Sequence, residues 1–230
     1  IVIGPFFSLS TRIVRDILMK SNIPILSLSN DQIVASKNNW VLGYLPEDQI
    51  DLLINYIVNK KKEKIAILAS NENFGKRVLS YIKKKSKQMN LNLKQVTILT
   101  KETLKNEDFL NNEIKKFTNY QKVEEENEMI MPAPYDALIL AGNVNFILKT
   151  APLLSYYDLG PSRVQFLGTD VFSRKELINE PSLNGTVFTK SIVPDSKNLE
   201  EYWKLIFNEK PNIYAKMGFD IYAIISISKK

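Results

Sequence analysis

No cysteine and no histidine occurs in the 230 residues. Their absence removes thiol nucleophiles, disulfides, histidine general bases and the commonest transition-metal ligands together. An enzyme on this chain would have to work with carboxylates, lysines or tyrosines in a cleft, or with a metal held by oxygen alone. The glycine-rich phosphate loop of the Walker or dinucleotide type is also missing. "NFGKR" has one glycine before a lysine but lacks the upstream glycine that shapes a phosphate cradle. No bound cofactor and no metal site are therefore expected. No apolar run approaches the ~18 residues of a membrane span. There is no signal-peptide core either, so any targeting segment lies outside these residues.

A hydrophobic fraction of 44% and a charged fraction of 24% suit a globular protein of one large α/β domain or two modest lobes. The formal charge of +6 is carried mainly by lysines gathered in "KKKEK" (60–64) and "KKKSK" (83–87). Such runs can meet an anionic partner, nucleic acid or a lipid surface. The reading preferred here is that of solvated helix ends, where lysine complements the macrodipole. No aromatic residue is interleaved with them as a single-strand nucleic-acid groove requires, and no nucleic-acid partner is expected.

Apolar runs alternate with helical patterns along the chain. "IVIG", "IPILSLS", "WVLGYL", "KIAILAS", "NLKQVTIL", "YDALILAG" and "VQFLGT" read as strands. Between them, "LSTRIVRDILMKS" is amphipathic, with Ile13, Val14, Ile17 and Leu18 on one face. "PEDQIDLLINYIVNKK" opens with proline and acids, as a helix start favours. "NFGKRVLSYIKKKSKQ", "NEDFLNNEIKKF" and "VNFILKTAPLLSYY" follow as helices, and "NLEEYWKLIFNE" and "YAKMGFDIYAIISISKK" form a helical tail. Continuously apolar strands alternating with helices signal parallel sheets covered on both faces. The acidic, proline-containing "YQKVEEENEMIMPAP" breaks the rhythm and reads as a surface loop.

In open α/β sheets ligands bind beyond the carboxyl ends of the strands, where helix N-termini present free N–H groups. Each main strand here ends in small polar residues: Ser8 and Ser10; Ser27, Ser29, Asn30 and Asp31; Ser70, Asn71 and Asn73; Asn143 and Asn145; Thr169 and Asp170. Each alone reads as a helix N-cap. Five such turns in register also describe the lining of one cleft, and the two readings are compatible.

"IVIGPFFSLST", "IPILSLSND", "VLGYLPEDQ", "KIAILASNENFGKRV", "YDALILAG" and "VQFLGTD" together resemble, over most of the chain, the type I periplasmic solute-binding proteins. The resemblance implies an α/β fold of two lobes, mainly parallel sheets flanked by helices, joined by crossovers and closing over a small ligand. Family members have two strands and a helix before the "IGP" strand, so these residues would lack the N-terminal strands of the first lobe. Residues 1–45 and 194–230 would form that incomplete lobe, and 46–193 the second lobe, including the first crossover helix. Lys230 would fall before the final crossover.

Two branches of the family are in play, neither of them enzymatic. "IGPFFS" with "YLPEDQ", "PLLSYYDL" with "VQFLGT", and "YAKMGFDIYA" look like the penicillin-binding-protein activator lipoproteins, the leading reading. It implies a module that regulates peptidoglycan synthesis through a penicillin-binding protein, with any lipid anchor to the outer membrane outside this chain. The alternative is the extracellular receptor of a leucine/isoleucine/valine-type ABC uptake system, with a permease as partner and a small polar or zwitterionic ligand. Both imply a bacterial periplasmic protein. In the amino-acid branch, hydroxyls after the first two strands grip a carboxylate, while an acid and a tyrosine of the other lobe meet the ammonium. Ser8 matches the first hydroxyl and Asp170 the acid. Ser29-Asn30-Asp31 stands where a small-small-Thr pattern is expected, and Phe74 stands where the tyrosine is expected. The candidate cleft residues are thus Ser8, Ser10, Ser29, Asn30, Asp31, Asn71, Phe74, Asn143, Thr169 and Asp170. A carboxylate-based or metal-assisted enzyme would have to rest on Asp31, Glu72 and Asp170.

Overall fold

A computed structural model of the chain describes residues 1–121, 132–191 and 197–228. It divides into two compact units, residues 46–190 and residues 1–45 with 191–230. The acidic segment 122–131 and the crossing expected near Val193 lie outside the described residues.

The unit 46–190 is built on a five-stranded, wholly parallel sheet. Its strands are β4 (Ile65–Ser70), β5 (Leu93–Leu99), β6 (Ala137–Ala141), β7 (Gln165–Gly168) and β8 (Val187–Phe188), in the order β5-β4-β6-β7-β8. Every residue of β4 and of β6 is buried. Successive side chains of a strand point to opposite faces, and the strands sort accordingly. Ala66, Leu68, Leu138, Leu140 and Phe166 join one core with Leu110, Ile114 and Phe117 of α5 (Glu107–Thr118) and Phe146, Ile147, Ala151 and Leu154 of α6 (Val144–Tyr156). Ile65, Ile67, Ala69, Ala137, Ile139 and Leu167 join the other, with α2 (Pro46–Asn59) and α3 (Asn73–Gln88). Each fully buried Leu, Ile or Phe contributes roughly 1.5–3 kcal/mol relative to exposure, so this double layer dominates the stability of the unit. A short helix, α4 (Lys101–Lys105), follows β5, and α7 (Lys175–Ile178) follows β7.

The other unit carries a three-stranded parallel sheet, β1 (Val2–Ile3), β2 (Ile25–Ser27) and β3 (Asn39–Val41), in that order. With it come α1 (Ser8–Leu18), α8 (Lys197–Phe207) and α9 (Ile213–Ser228). Its buried cluster is small: Leu26, Leu28, Met217 and Ile221, with Leu42, Tyr44 and Ile225 packed against it. The helix expected with Ile13, Val14, Ile17 and Leu18 on one face does form. Thr11 is the residue it buries, however, while Ile13 and Ile17 are 53% and 69% exposed. The Thr11 hydroxyl is paired with that of Ser27 on β2 at 2.9 Å, which sets the side α1 turns to the sheet. An apolar concavity of about 640 Å³ opens between Ile1, Leu26, Trp40, Leu42 and Ile225. Among the described residues no helix is long and apolar enough to cross a membrane.

At the start of β6, Tyr135 is buried and donates its hydroxyl to the Phe117 carbonyl at 2.8 Å, and it is also bonded to Gln95. Burial pushes its pKa up to about 12. The neighbouring Asp136 Oδ2 accepts from the backbone N–H of Glu63 at 2.9 Å and of Lys64 at 2.8 Å, pinning the turn that leads into β4. Burial alone would raise the Asp136 carboxyl. The two N–H donors and the Lys64 and Lys62 charges outweigh it, and its pKa lies below the ordinary 3.8. A depressed native pKa means stability present above the unfolded value and lost as pH falls through the native one. Asp136→Asn should therefore cost about 1 kcal/mol at neutral pH. In urea melts across pH, the gap between wild type and variant should close below the ordinary 3.8. A gap that persists unchanged in acid would show that the carboxylate charge is not what matters.

Candidate functional site

Parallel topology brings the carboxyl ends of β4, β6 and β7 to one edge of the 46–190 sheet, where the polar turns gather. After β4, Glu72 is the residue before α3, and its side chain caps nothing there. It reaches across instead: its Oε2 accepts from Asn143 Nδ2 at 2.8 Å, and its Oε1 lies 3.9 Å from Lys101 Nζ. Asn143 in turn caps α6, its Oδ1 accepting from Phe146 N–H at 2.9 Å. Three turns, after β4, β5 and β6, are thus tied at one carboxylate. Asn71 is exposed, with its backbone N–H still bonded to Leu99 of β5 at 2.9 Å. Phe74 is half-buried and packs on the core shared by α2 and α3, so its ring is a wall rather than a donor.

The start of α3 lies hard against the strand ends. A Cβ at Gly75 would stand 2.3 Å from the Ser70 carbonyl oxygen and 2.9 Å from that of Ala141. Beneath it Ser70 is buried, its hydroxyl without a hydrogen-bond partner among the described residues.

After β7, Thr169 is buried and precedes a single turn of 3-10 helix, Asp170–Ser173. The backbone of Asp170 is fixed at both ends: its N–H donates to Gln49 Oε1 at 2.8 Å, and its carbonyl accepts from Ser173 Oγ at 2.7 Å. Gln49 also accepts from Thr189 Oγ1 at 3.3 Å, stitching α2 to the ends of β7 and β8. The Asp170 carboxylate itself makes no hydrogen bond or ion pair with any described residue. A rigidly held acid with its charge unspent can meet a cation.

In the other unit the turns after β1 and β2 lie side by side, joined by Leu28 N–H to the Pro5 carbonyl at 3.0 Å. Ser8 opens α1 and is half-buried, as is Ser10, while Asn30 is exposed. Ser29 and Asp31 are taken up by the turn. The Ser29 N–H donates to Ser27 Oγ, the Asp31 N–H to Ser29 Oγ, and the Ile33 N–H to Asp31 Oδ1, each at 3.1 Å. The second Asp31 oxygen stands 3.8 Å from the guanidinium of Arg12, which is about half exposed. Arg12 sits one helical turn after Ser8, and with Gln49, Glu72 and Lys101 it belongs to the residues the sequence reading of the ligand site passed over. Gln49 comes from a segment that reads as plain helix, and Lys101 from the link between "NLKQVTIL" and "NEDFLNNEIKKF", to which the pattern assigns no element. Glu72 stood within the right turn but only among candidate catalytic acids. Among the described residues no group of three carboxylates is placed to hold a metal ion.

No protein-family model matches this sequence, and no curated protein is similar to it in sequence. Solved structures are similar in fold. An ABC transporter substrate-binding protein from Desulfitobacterium hafniense superposes with a TM-score of 0.69 at 12% identity, covering 96% of this chain and 62% of its own. A putative branched-chain amino acid ABC transporter protein from Rhodospirillum rubrum gives 0.69 at 15%, covering 95% and 60%. The fold is that of the type I periplasmic binding proteins. A branched-chain amino acid ABC transporter protein from Thermus thermophilus with bound valine gives 0.62 at 13% identity, covering 93% and 54%. This chain thus spans about three fifths of the length of the first two. All three likenesses are to transport proteins, and the penicillin-binding-protein activator reading draws no support from them.

Because the added Cβ at Gly75 meets backbone oxygens, Gly75→Ala should push the first turn of α3 off the sheet and cost roughly 1–3 kcal/mol. Gly218 in α9 has nothing within 4 Å of an added Cβ. Gly218→Ala should instead stabilise by up to about 1 kcal/mol through helix propensity. Paired thermal melts check both signs, and equal effects would refute the packing argument.

Proposed function

We propose that this chain is the ligand-binding part of an extracytoplasmic solute receptor of an ABC importer, taking a small solute with a cationic amino group. The observation that carries this is Asp170, a carboxylate held rigidly at the carboxyl end of β7 with no partner among the described residues. The fold it shares with transporter substrate-binding proteins, one of them holding valine, supports the same reading. In this reading Asp170 meets the ammonium and Phe74 lines the apolar part of the solute. Such a receptor is a binding protein and not an enzyme; it works in the periplasm and hands its solute to a permease. The penicillin-binding-protein activator reading falls to second place, since no structural observation favours it.

Ligand binding to the native state adds RT ln(1 + [L]/Kd) to stability, about 2.7 kcal/mol at 100 times Kd. Leucine, isoleucine or valine should accordingly raise the melting temperature of the complete protein. Asp170→Asn should weaken that binding at least tenfold, or about 1.4 kcal/mol, while leaving the unliganded melting temperature close to wild type. No shift with any amino acid, together with a measurable complex with the periplasmic portion of a penicillin-binding protein, would reverse the order of the two readings.

A further inference from the structure

The two lysine runs, each a plausible solvated helix end in the sequence, become one surface in the fold. Every strand of the 46–190 sheet runs the same way, so the turns leading into β4, β5, β6 and β7 lie along a single edge. Helices α2 and α3 both deliver their carboxyl ends there. They run side by side in the same direction, as Glu47 bonded to Arg77 at 2.6 Å and Asp51 to Tyr81 at 2.9 Å require. Ile65 N–H donates to the Asn92 carbonyl at 3.1 Å, tying the run 60–64 to the turn that follows the run 83–87. Lys60–Lys62, Lys64, Lys83, Lys84, Lys87 and Lys94 therefore share one edge, and none forms an ion pair with a described residue. The carboxylates in the same turns are Glu63, Asp136 and Asp158, and Asp136 accepts from the backbone of residues 63 and 64 while also feeling the Lys64 and Lys62 charges. The acidic stretch Glu124–Glu128 lies outside the described residues.

We propose that this edge docks on a bilayer surface rich in anionic phospholipid headgroups. Four features favour a lipid surface over nucleic acid. Neither lysine run, 60–64 or 83–87, has an aromatic residue within it to stack successive bases. The helix ends here are carboxyl ends, which present carbonyls rather than the N–H groups that clamp an individual phosphate. The cations are almost all lysines, point charges suited to a diffuse negative field rather than the fork of arginine. Finally, Val58, Met89 and Tyr156, which are 43%, 41% and 74% exposed, stand at the ends of α2, α3 and α6 on this same edge. A basic face with a few apolar and aromatic side chains suits the headgroup boundary. Asp170 lies at the opposite edge of the same sheet, so docking here leaves it free. The proposal does not depend on what Asp170 binds.

Sedimentation of the full chain with vesicles of phosphatidylcholine, with and without phosphatidylglycerol, tests it. Binding is expected only to the phosphatidylglycerol vesicles and should be released by salt. Each lysine near an anionic surface is worth roughly fivefold in binding. Lys83→Ser/Lys84→Ser/Lys87→Ser should thus lose about 100-fold. Lys76→Ser/Lys105→Ser/Lys175→Ser, with the same net charge but altered toward the other edge, should bind as wild type. The proposal is overturned by equal binding to neutral vesicles, by equal loss in both triple variants, or by no binding at low salt, as would follow if the acidic stretch neutralised the lysines. Tighter binding to duplex DNA than to the vesicles would also overturn it.

Discussion

Complete burial of β4 is the constraint on which residues 46–190 depend. Its six residues present three side chains to each face, and each face needs its own apolar cover. On one side α2 and α3 supply it, on the other α5 and α6. A strand covered on both faces and paired on both edges cannot slip by one residue without exchanging its two cores. Register is thereby fixed, and with it the height at which each strand ends and each turn begins.

From that register the chemistry of the two edges follows. At the carboxyl edge, helix N-termini and small polar side chains meet, and Glu72 joins three turns at one point. Asp170 stands there with its backbone pinned and its charge uncommitted. The amino edge collects helix carboxyl ends, whose dipoles favour cations, and the lysine runs sit there. One sheet thus separates an acid-bearing edge from a basic one. Residues 1–45 with 191–230 are built on the same strand–turn–helix scheme with far less apolar cover: a small buried cluster and much exposed apolar surface on α1, α8 and α9.

Polar residues at strand ends serve two purposes, and only geometry sorts them. Ser29 and Asp31 hold the turn after β2 through backbone N–H groups, and Asn143 caps α6 while also reaching Glu72. Thr11 and Ser27, which look like ordinary turn hydroxyls, form a buried pair that orients α1. Asp170 differs because its backbone, not its side chain, makes the structural bonds. That frees the carboxylate for an outside partner.

Much of the fold was legible in the residues themselves. "KIAILAS" and "YDALILAG" read as buried strands, apolar throughout as a sheet covered on both faces requires. The parallel α/β fold followed from their alternation with amphipathic helices. The turns where a ligand could bind were legible for the same reason, as strand ends are where polar residues return. The sequence alone could not say which polar groups were already spent, because a hydroxyl bonded to its own turn and one facing a ligand are the same letter. Nor could it show that Gln49 reaches β7, that Arg12 stands beside Asp31, or that two lysine runs separated by a strand share an edge. Those relations join residues distant in sequence, and only the parallel register of the folded sheet brings them together.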